Sequence, residues 1–161
     1  MSLDSDGFLA VPGALDESAV MDVAAALDRV HGEELAAGRT PAGEPMHLLG
    51  NIARDDLFLD LLDHPAVFPL VRRELGWNIH LYHCHLDVTP PRAEPRPPAW
   101  GWHQDGGRQN VDLDSDPRPR MSLKVAFWLS DGPAICSGDG PRSLKQPRSS
   151  PNPSPMSVVS M

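Results

Sequence analysis

The chain has 161 residues, of which 40% are apolar and 22% charged, and this composition fits one folded domain and excludes a chain that is disordered throughout. The formal net charge of −8 argues against nucleic acid and against an anionic membrane surface as partners. No apolar run approaches the roughly 18 residues of a membrane span, and the N-terminal segment lacks the basic start of a secretory signal. We therefore expect a soluble, cytoplasmic protein.

Helices are predicted in the first half of the chain. The first begins after Asp16, a candidate N-cap, carries apolar residues at helical spacing and ends at Gly38. A second, short helix is expected over residues 57–62. The third begins at Pro65, a residue type favoured at the first helical position, and ends at Gly76.

The pattern then changes to that of strands. Residues 78–88 are rich in β-forming side chains and are followed by two prolines, and residues 122–129 form a second apolar run of the same kind. Between them, a proline-rich loop leads into a short extended segment at 100–105. Helices followed by strands predict an α+β fold in which the helices pack on a sheet.

The composition changes again near residue 131. Residues 132–161 contain no aromatic residue, and 16 of these 30 residues are Pro, Gly or Ser. Their net charge is +2, whereas residues 1–131 carry −10. Such a segment buries too little apolar surface to offset its ordering entropy. We therefore expect one domain over 1–131 and a disordered C-terminal tail over 132–161.

One short motif has the composition of a metal site. In an extended segment, residues two positions apart point the same way, about 6.6 Å apart at Cα, so His103 and Asp105 would present an imidazole and a carboxylate to one point. These are two of the three ligands of the 2-His-1-carboxylate site that holds non-haem Fe(II). The alternative is a solvated pair at the end of a surface strand.

Several motifs accompany this pair in a set order. They are DGFLAV at 6–11, DHP at 63–65, GWNI at 76–79, VTPP at 88–91, WHQDGG at 102–107 and SLKVAFWLSD at 122–131. In this order they resemble the phytanoyl-CoA dioxygenase family of Fe(II)/2-oxoglutarate-dependent oxygenases. The resemblance covers about residues 6–131.

The resemblance implies a double-stranded β-helix (jelly roll) with helices packed outside it, Fe(II) in its interior and 2-oxoglutarate as co-substrate. It implies that His103 and Asp105 are iron ligands. The implied reaction couples oxidative decarboxylation of 2-oxoglutarate to hydroxylation of a small organic substrate. The residues that fall where the family binds its co-substrate are Gln104, His85, Phe127 and His47.

The sequence departs from the family pattern after residue 131. The family has a further histidine ligand downstream, followed by an arginine for the distal carboxylate of 2-oxoglutarate, but His103 is the last histidine of this chain. We therefore expect an incomplete jelly roll, with the remainder replaced through truncation or a shifted reading frame. The function expected by resemblance is that of an impaired dioxygenase. The alternative is an inactive fragment that acts as a non-enzymatic binding or interaction module, and exposed strand edges favour self-association.

A second histidine cluster precedes the motif. His80, His83, Cys84 and His85 resemble a metal-binding group, but alternation along a strand would place them on both faces of a sheet. They are therefore predicted to line a pocket or to pack in the interior. Lys124, within an apolar strand, is interpreted as a pocket cation or as a lysine at a sheet edge.

Overall fold

The computed structural model describes Leu3, residues 7–91, Asp112, residues 122–130 and the strand formed by residues 156–160. Its helices are α1 (Glu17–Ala36), α2 (Asp56–Leu59) and α3 (Phe68–Leu75), with a 3₁₀ helix at Ile52–Arg54. Its strands are β1 (Met46–Leu49), β2 (His85–Thr89), β3 (Ala126–Trp128) and β4 (Met156–Ser160). The described residues thus have the α+β composition that the sequence predicts.

Helix α1 follows its local signals closely. The side chain of Asp16 accepts a hydrogen bond of 2.8 Å from the backbone N–H of Ala19, as expected for an N-cap. The chain leaves the helix at Gly38, whose φ of 67° is readily adopted by glycine. The prediction of this helix is confirmed. Among the described helices, none is both long and apolar enough to cross a membrane.

The two later helices are shorter than predicted. Asp55 caps α2 by accepting a hydrogen bond from the backbone of Leu57, and the helix ends at Leu59. Helix α3 does not begin at Pro65, which lies in a preceding turn, but at Phe68. Gly76, with φ of 83°, ends α3 as predicted.

The strands form one antiparallel sheet in the order β1-β2-β4-β3. The predicted strand 78–88 is wrong over most of its length, because only His85–Thr89 pair with neighbours and residues 78–84 form no regular structure. The predicted strand 122–129 is confirmed over Ala126–Trp128 alone. The predicted extended segment 100–105 lies outside the described residues.

Strand β4 comes from the segment that we expected to be disordered. It lies between β2 and β3 and pairs with both. The expectation of disorder is therefore wrong for residues 156–160, where two consecutive valines supply β-forming side chains that composition averaged over the whole segment conceals. Residues 132–155 lie outside the described part of the chain, and the domain boundary near 131 stays a prediction.

The core lies between α1 and one face of the sheet. Alternation along β2 places Leu86 and Val88 on that face, where their exposed fractions are 1% and 3%. The same alternation leaves His85 and Asp87 on the opposite face. The side chains that complete the core include Val23, Ala26, Leu27, Val30, Met46, Phe58, Leu61 and Phe127.

An ionic cluster around the buried carboxylate of Glu34 connects the segment before β1 to α1. Glu34, only 2% exposed, accepts hydrogen bonds of 2.6 and 2.7 Å from the guanidinium of Arg39 and one of 3.0 Å from that of Arg54. The hydrogen bonds from Arg39, and after them those from Arg54, lower the pKa of Glu34 to about 2. Because Arg54 belongs to the 3₁₀ helix, the cluster joins both ends of the β1 region to α1.

Candidate metal centre

The register between β1 and β2 brings three possible metal ligands together. His47 on β1 pairs with Asp87 on β2, so their side chains leave the same face of the sheet. His85 precedes Asp87 by two residues and therefore shares that face. Because Leu86 and Val88 occupy the other face, the packing that buries them also fixes the direction of His85 and Asp87.

The carboxylate of Asp87 lies between the two imidazoles. Its Oδ1 is 2.5 Å from Nδ1 of His47, and its Oδ2 is 3.0 Å from Nδ1 of His85. The ring centroids of the two histidines are 4.9 Å apart. One ligand atom from each residue lies within 4.8 Å of the other two, so the His47–His85–Asp87 group can hold a metal ion.

Exposure of the group changes from one side to the other. The side chain of His85 is 10% exposed, that of Asp87 26% and that of His47 52%. An ion could therefore enter from the side of His47 and rest against the buried imidazole of His85. The donor set combines two nitrogen ligands with one carboxylate oxygen.

The two ring nitrogens of His85 have different surroundings. Its Nε2 is buried and has no hydrogen-bond partner among the described residues, while its Nδ1 is held by Asp87. Burial lowers the pKa of His85, against the opposing effect of Asp87, and the charge of Lys124 lowers it further. The imidazole is therefore biased towards the neutral form, which is the form that binds metal.

His85 also belongs to the wall of a cavity. The cavity has a volume of about 760 Å³ and lies between α3, residues 77–83 and residues 122–125. This volume is in the range of small-molecule sites. The candidate metal ligands and the cavity thus meet at one side chain.

The structure separates the residues that the resemblance assigned to the co-substrate pocket. His47 and His85 lie together, as described above. Phe127 does not join them, because it occupies the core face of the sheet, is 4% exposed and packs its ring against that of His64 at 5.8 Å. The side chains at alternate positions of a sheet point to opposite faces, and residue order along the chain does not reveal which face is which.

The structure does not test the iron pair and the adjacent glutamine that the resemblance predicts. His103, Gln104 and Asp105 lie outside the described residues. Their assignment as iron ligands and co-substrate contact stays a prediction.

Of the four residues of the histidine cluster before β2, only His85 belongs to the candidate metal-binding group among the described residues. Residues 80–84 are not a strand, so the alternation on which the prediction was based does not apply to them. Cys84 is a buried core residue with a free thiol, whereas the ring of His83 lies 5.0 Å from that of His85 at the cavity.

Asp87 is the member of the group that sequence reasoning missed. The spacing of Asp87 from His85 was a usable signal, because it is the same as the spacing of Asp105 from His103. The contribution of His47 could not be obtained from spacing, because it depends on the pairing of two strands separated by about forty residues.

Comparison of the chain with models of protein families, with curated proteins and with solved structures finds no match. The resemblance to the phytanoyl-CoA dioxygenases therefore depends on the sequence motifs alone. The geometry of the described residues adds a group able to bind a metal ion beside a cavity.

Proposed function

We propose that this chain is a non-haem Fe(II)- and 2-oxoglutarate-dependent dioxygenase that hydroxylates a small organic molecule, with the His47–His85–Asp87 group as its iron ligands. The observation that carries the proposal is the meeting of two imidazoles and one carboxylate on one face of the sheet, beside a cavity. The motif order that resembles the phytanoyl-CoA dioxygenases supports the same reaction class, although the resemblance assigns the iron to His103 and Asp105 instead of to this group.

The donor set fits this metal. Two histidines and one carboxylate on one side of an ion are the ligands typical of Fe(II) oxygenases, because they leave coordination positions open for oxygen and co-substrate. The carboxylate of Asp87 lies between the Nδ1 atoms of both histidines, so an ion bound there would replace the two hydrogen bonds and contact all three side chains.

The ion and the residues around it would have different roles in the reaction. Bound Fe(II) would supply the activation of oxygen, with 2-oxoglutarate as the source of electrons. His85, the most buried of the three, would hold the ion at the wall of the cavity. Lys124, in the cavity wall, would contribute positive charge that favours a dicarboxylate.

The resemblance implies a jelly roll, and the four-stranded antiparallel sheet would be one of its two sheets. Helix α1 packs on one face of this sheet, and the candidate ligands lie on the other face, beside the cavity whose wall includes α3. In a jelly roll that second face lines the interior where ligands bind.

Anaerobic titration of the full chain with Fe(II), followed by calorimetry, tests the ligand assignment. Asp87→Asn should abolish binding, because the amide cannot supply the carboxylate charge. Asp60→Asn is the matched control, since Asp60 is exposed and lies outside the group. Binding that survives Asp87→Asn would exclude the assignment.

The same titration distinguishes the group from the pair predicted by resemblance. If the double variant His103→Ala/Asp105→Ala alone loses iron, that pair is the site and the His47–His85–Asp87 group is not. Succinate release from 2-oxoglutarate then tests the reaction: iron-dependent release that Asp87→Asn removes supports the dioxygenase, and iron binding without release refutes it.

A further inference from the structure

The wall of the cavity beside His85 also includes Arg72. We propose that this cavity binds an organic acid, a carboxylate attached to an apolar body, with Arg72 as the carboxylate-binding residue. The further statement that this acid is the substrate hydroxylated by the dioxygenase rests on the proposed function. Binding of the acid does not require the metal.

Arg72 is held in a position to bind an anion. It lies in the last turn of α3, and its Cζ is 3.4 Å from the centroid of the Trp77 ring, so the indole supports the guanidinium from one side. Its Nε is buried and has no hydrogen-bond acceptor among the described residues. A buried donor without an acceptor is unfavourable, and a ligand oxygen would remove that penalty.

The charge of the wall selects for anions. The basic side chains among the described lining residues are Arg72, Lys124 and the histidines His80, His83 and His85; Tyr82 is the other ionisable lining residue, and no Asp or Glu occurs among them. This is unusual for a chain with a net charge of −8. A carboxylate would therefore meet attractive charge in the cavity and repulsive charge over much of the remaining chain.

The rest of the wall selects for an apolar body. It is formed mainly by aliphatic and aromatic side chains, among them Leu61, Leu62, Val67, Phe68, Val71 and Leu75. The volume of about 760 Å³ exceeds what a small dicarboxylate such as 2-oxoglutarate would fill. A planar guanidinium forms two parallel hydrogen bonds with a carboxylate, which would fix one end of the ligand while the apolar part packs against α3.

Calorimetric titration of the metal-free full chain with 4-phenylbutyrate and with the uncharged 4-phenyl-1-butanol tests the proposal. The acid should bind about tenfold more tightly than the alcohol or better. Arg72→Gln should remove this difference, and Arg72→Lys should restore part of it, because lysine keeps the charge but lacks the planar fork. Arg73→Gln is the matched control: it makes the same charge change on the next residue of α3, which lies outside the cavity wall and pairs with Glu74, and it should leave acid binding within about twofold.

Three results would overturn the proposal: no binding of 4-phenylbutyrate, equal binding of acid and alcohol by the unaltered chain, or equal loss in Arg72→Gln and Arg73→Gln. The comparison of acid with alcohol needs no variant, so it decides the question even if Arg72→Gln fails to fold. Asp87→Asn separates this proposal from the proposed function, because it should abolish Fe(II) binding while 4-phenylbutyrate still binds.

Discussion

Replacing Leu86 by alanine tests whether the core holds the strand that carries the candidate metal ligands. Leu86 is 1% exposed and lies between His85 and Asp87 in the chain, with its side chain on the other face of β2. The substitution removes three carbons, which corresponds to about 2.4 kcal/mol of lost transfer free energy at about 0.8 kcal/mol per carbon. The cavity left behind raises the expected loss in the free energy of unfolding to about 3–4 kcal/mol.

Thermal and urea unfolding of the metal-free chain measure this loss. A decrease of about 3 kcal/mol corresponds to a fall in Tm of roughly 10 °C for a domain of this size. Leu49→Ala is the control, because Leu49 lies on the neighbouring strand opposite His85 but is 51% exposed, so its loss should stay below about 1 kcal/mol. Equal effects of the two substitutions would refute the placement of Leu86 in the core.

Two further substitutions test the segments that support the sheet. Glu34→Gln should destabilise the chain at neutral pH, and the difference in stability from the unaltered chain should shrink as the pH falls from about 4.5 towards 2, because a carboxyl whose pKa is lowered in the folded state stabilises only while it is ionised. Urea unfolding over that pH range measures the difference, and a constant difference would contradict the ionic role of Arg39 and Arg54. Asp16→Ala should lower the free energy of unfolding by about 1 kcal/mol at neutral pH, because the N-cap bond to Ala19 is lost. Urea unfolding at neutral pH measures this change as well, and an unchanged midpoint would contradict it.

The helices could be predicted from the sequence because their signals are local. The N-cap at Asp16 and the positive-φ glycines at 38 and 76 act within a few residues of the turn they start or end. The strands could not be bounded in this way. Residues 78–83 carry β-forming side chains but belong to no strand, whereas β1, which the sequence did not indicate, pairs over its whole length with β2.

The candidate site could be predicted from the sequence only in part, because it too depends on the pairing of strands that are distant in the chain. The resemblance directed attention to His85 and His47, but it also included Phe127, which the sheet places on the opposite face. Asp87 could be inferred from its spacing to His85. No spacing argument could have brought His47 to Asp87, because that contact depends on strand register.

The alternation of β2 ties stability and site geometry together. A slip of β2 by one residue against β1 would turn Asp87 away from His47 and would also turn both Leu86 and Val88 out of the core. The burial of those two side chains therefore selects the register in which the imidazoles and the carboxylate meet.

If Fe(II) binds this group, free Fe(II) at about a hundredfold over Kd should raise the free energy of unfolding by about 2.7 kcal/mol. Because Leu86 and the ion act on opposite faces of one strand, Fe(II) should raise the Tm of Leu86→Ala and of the unaltered chain by similar amounts. A gain confined to the unaltered chain would mean that the substitution also displaces the ligands.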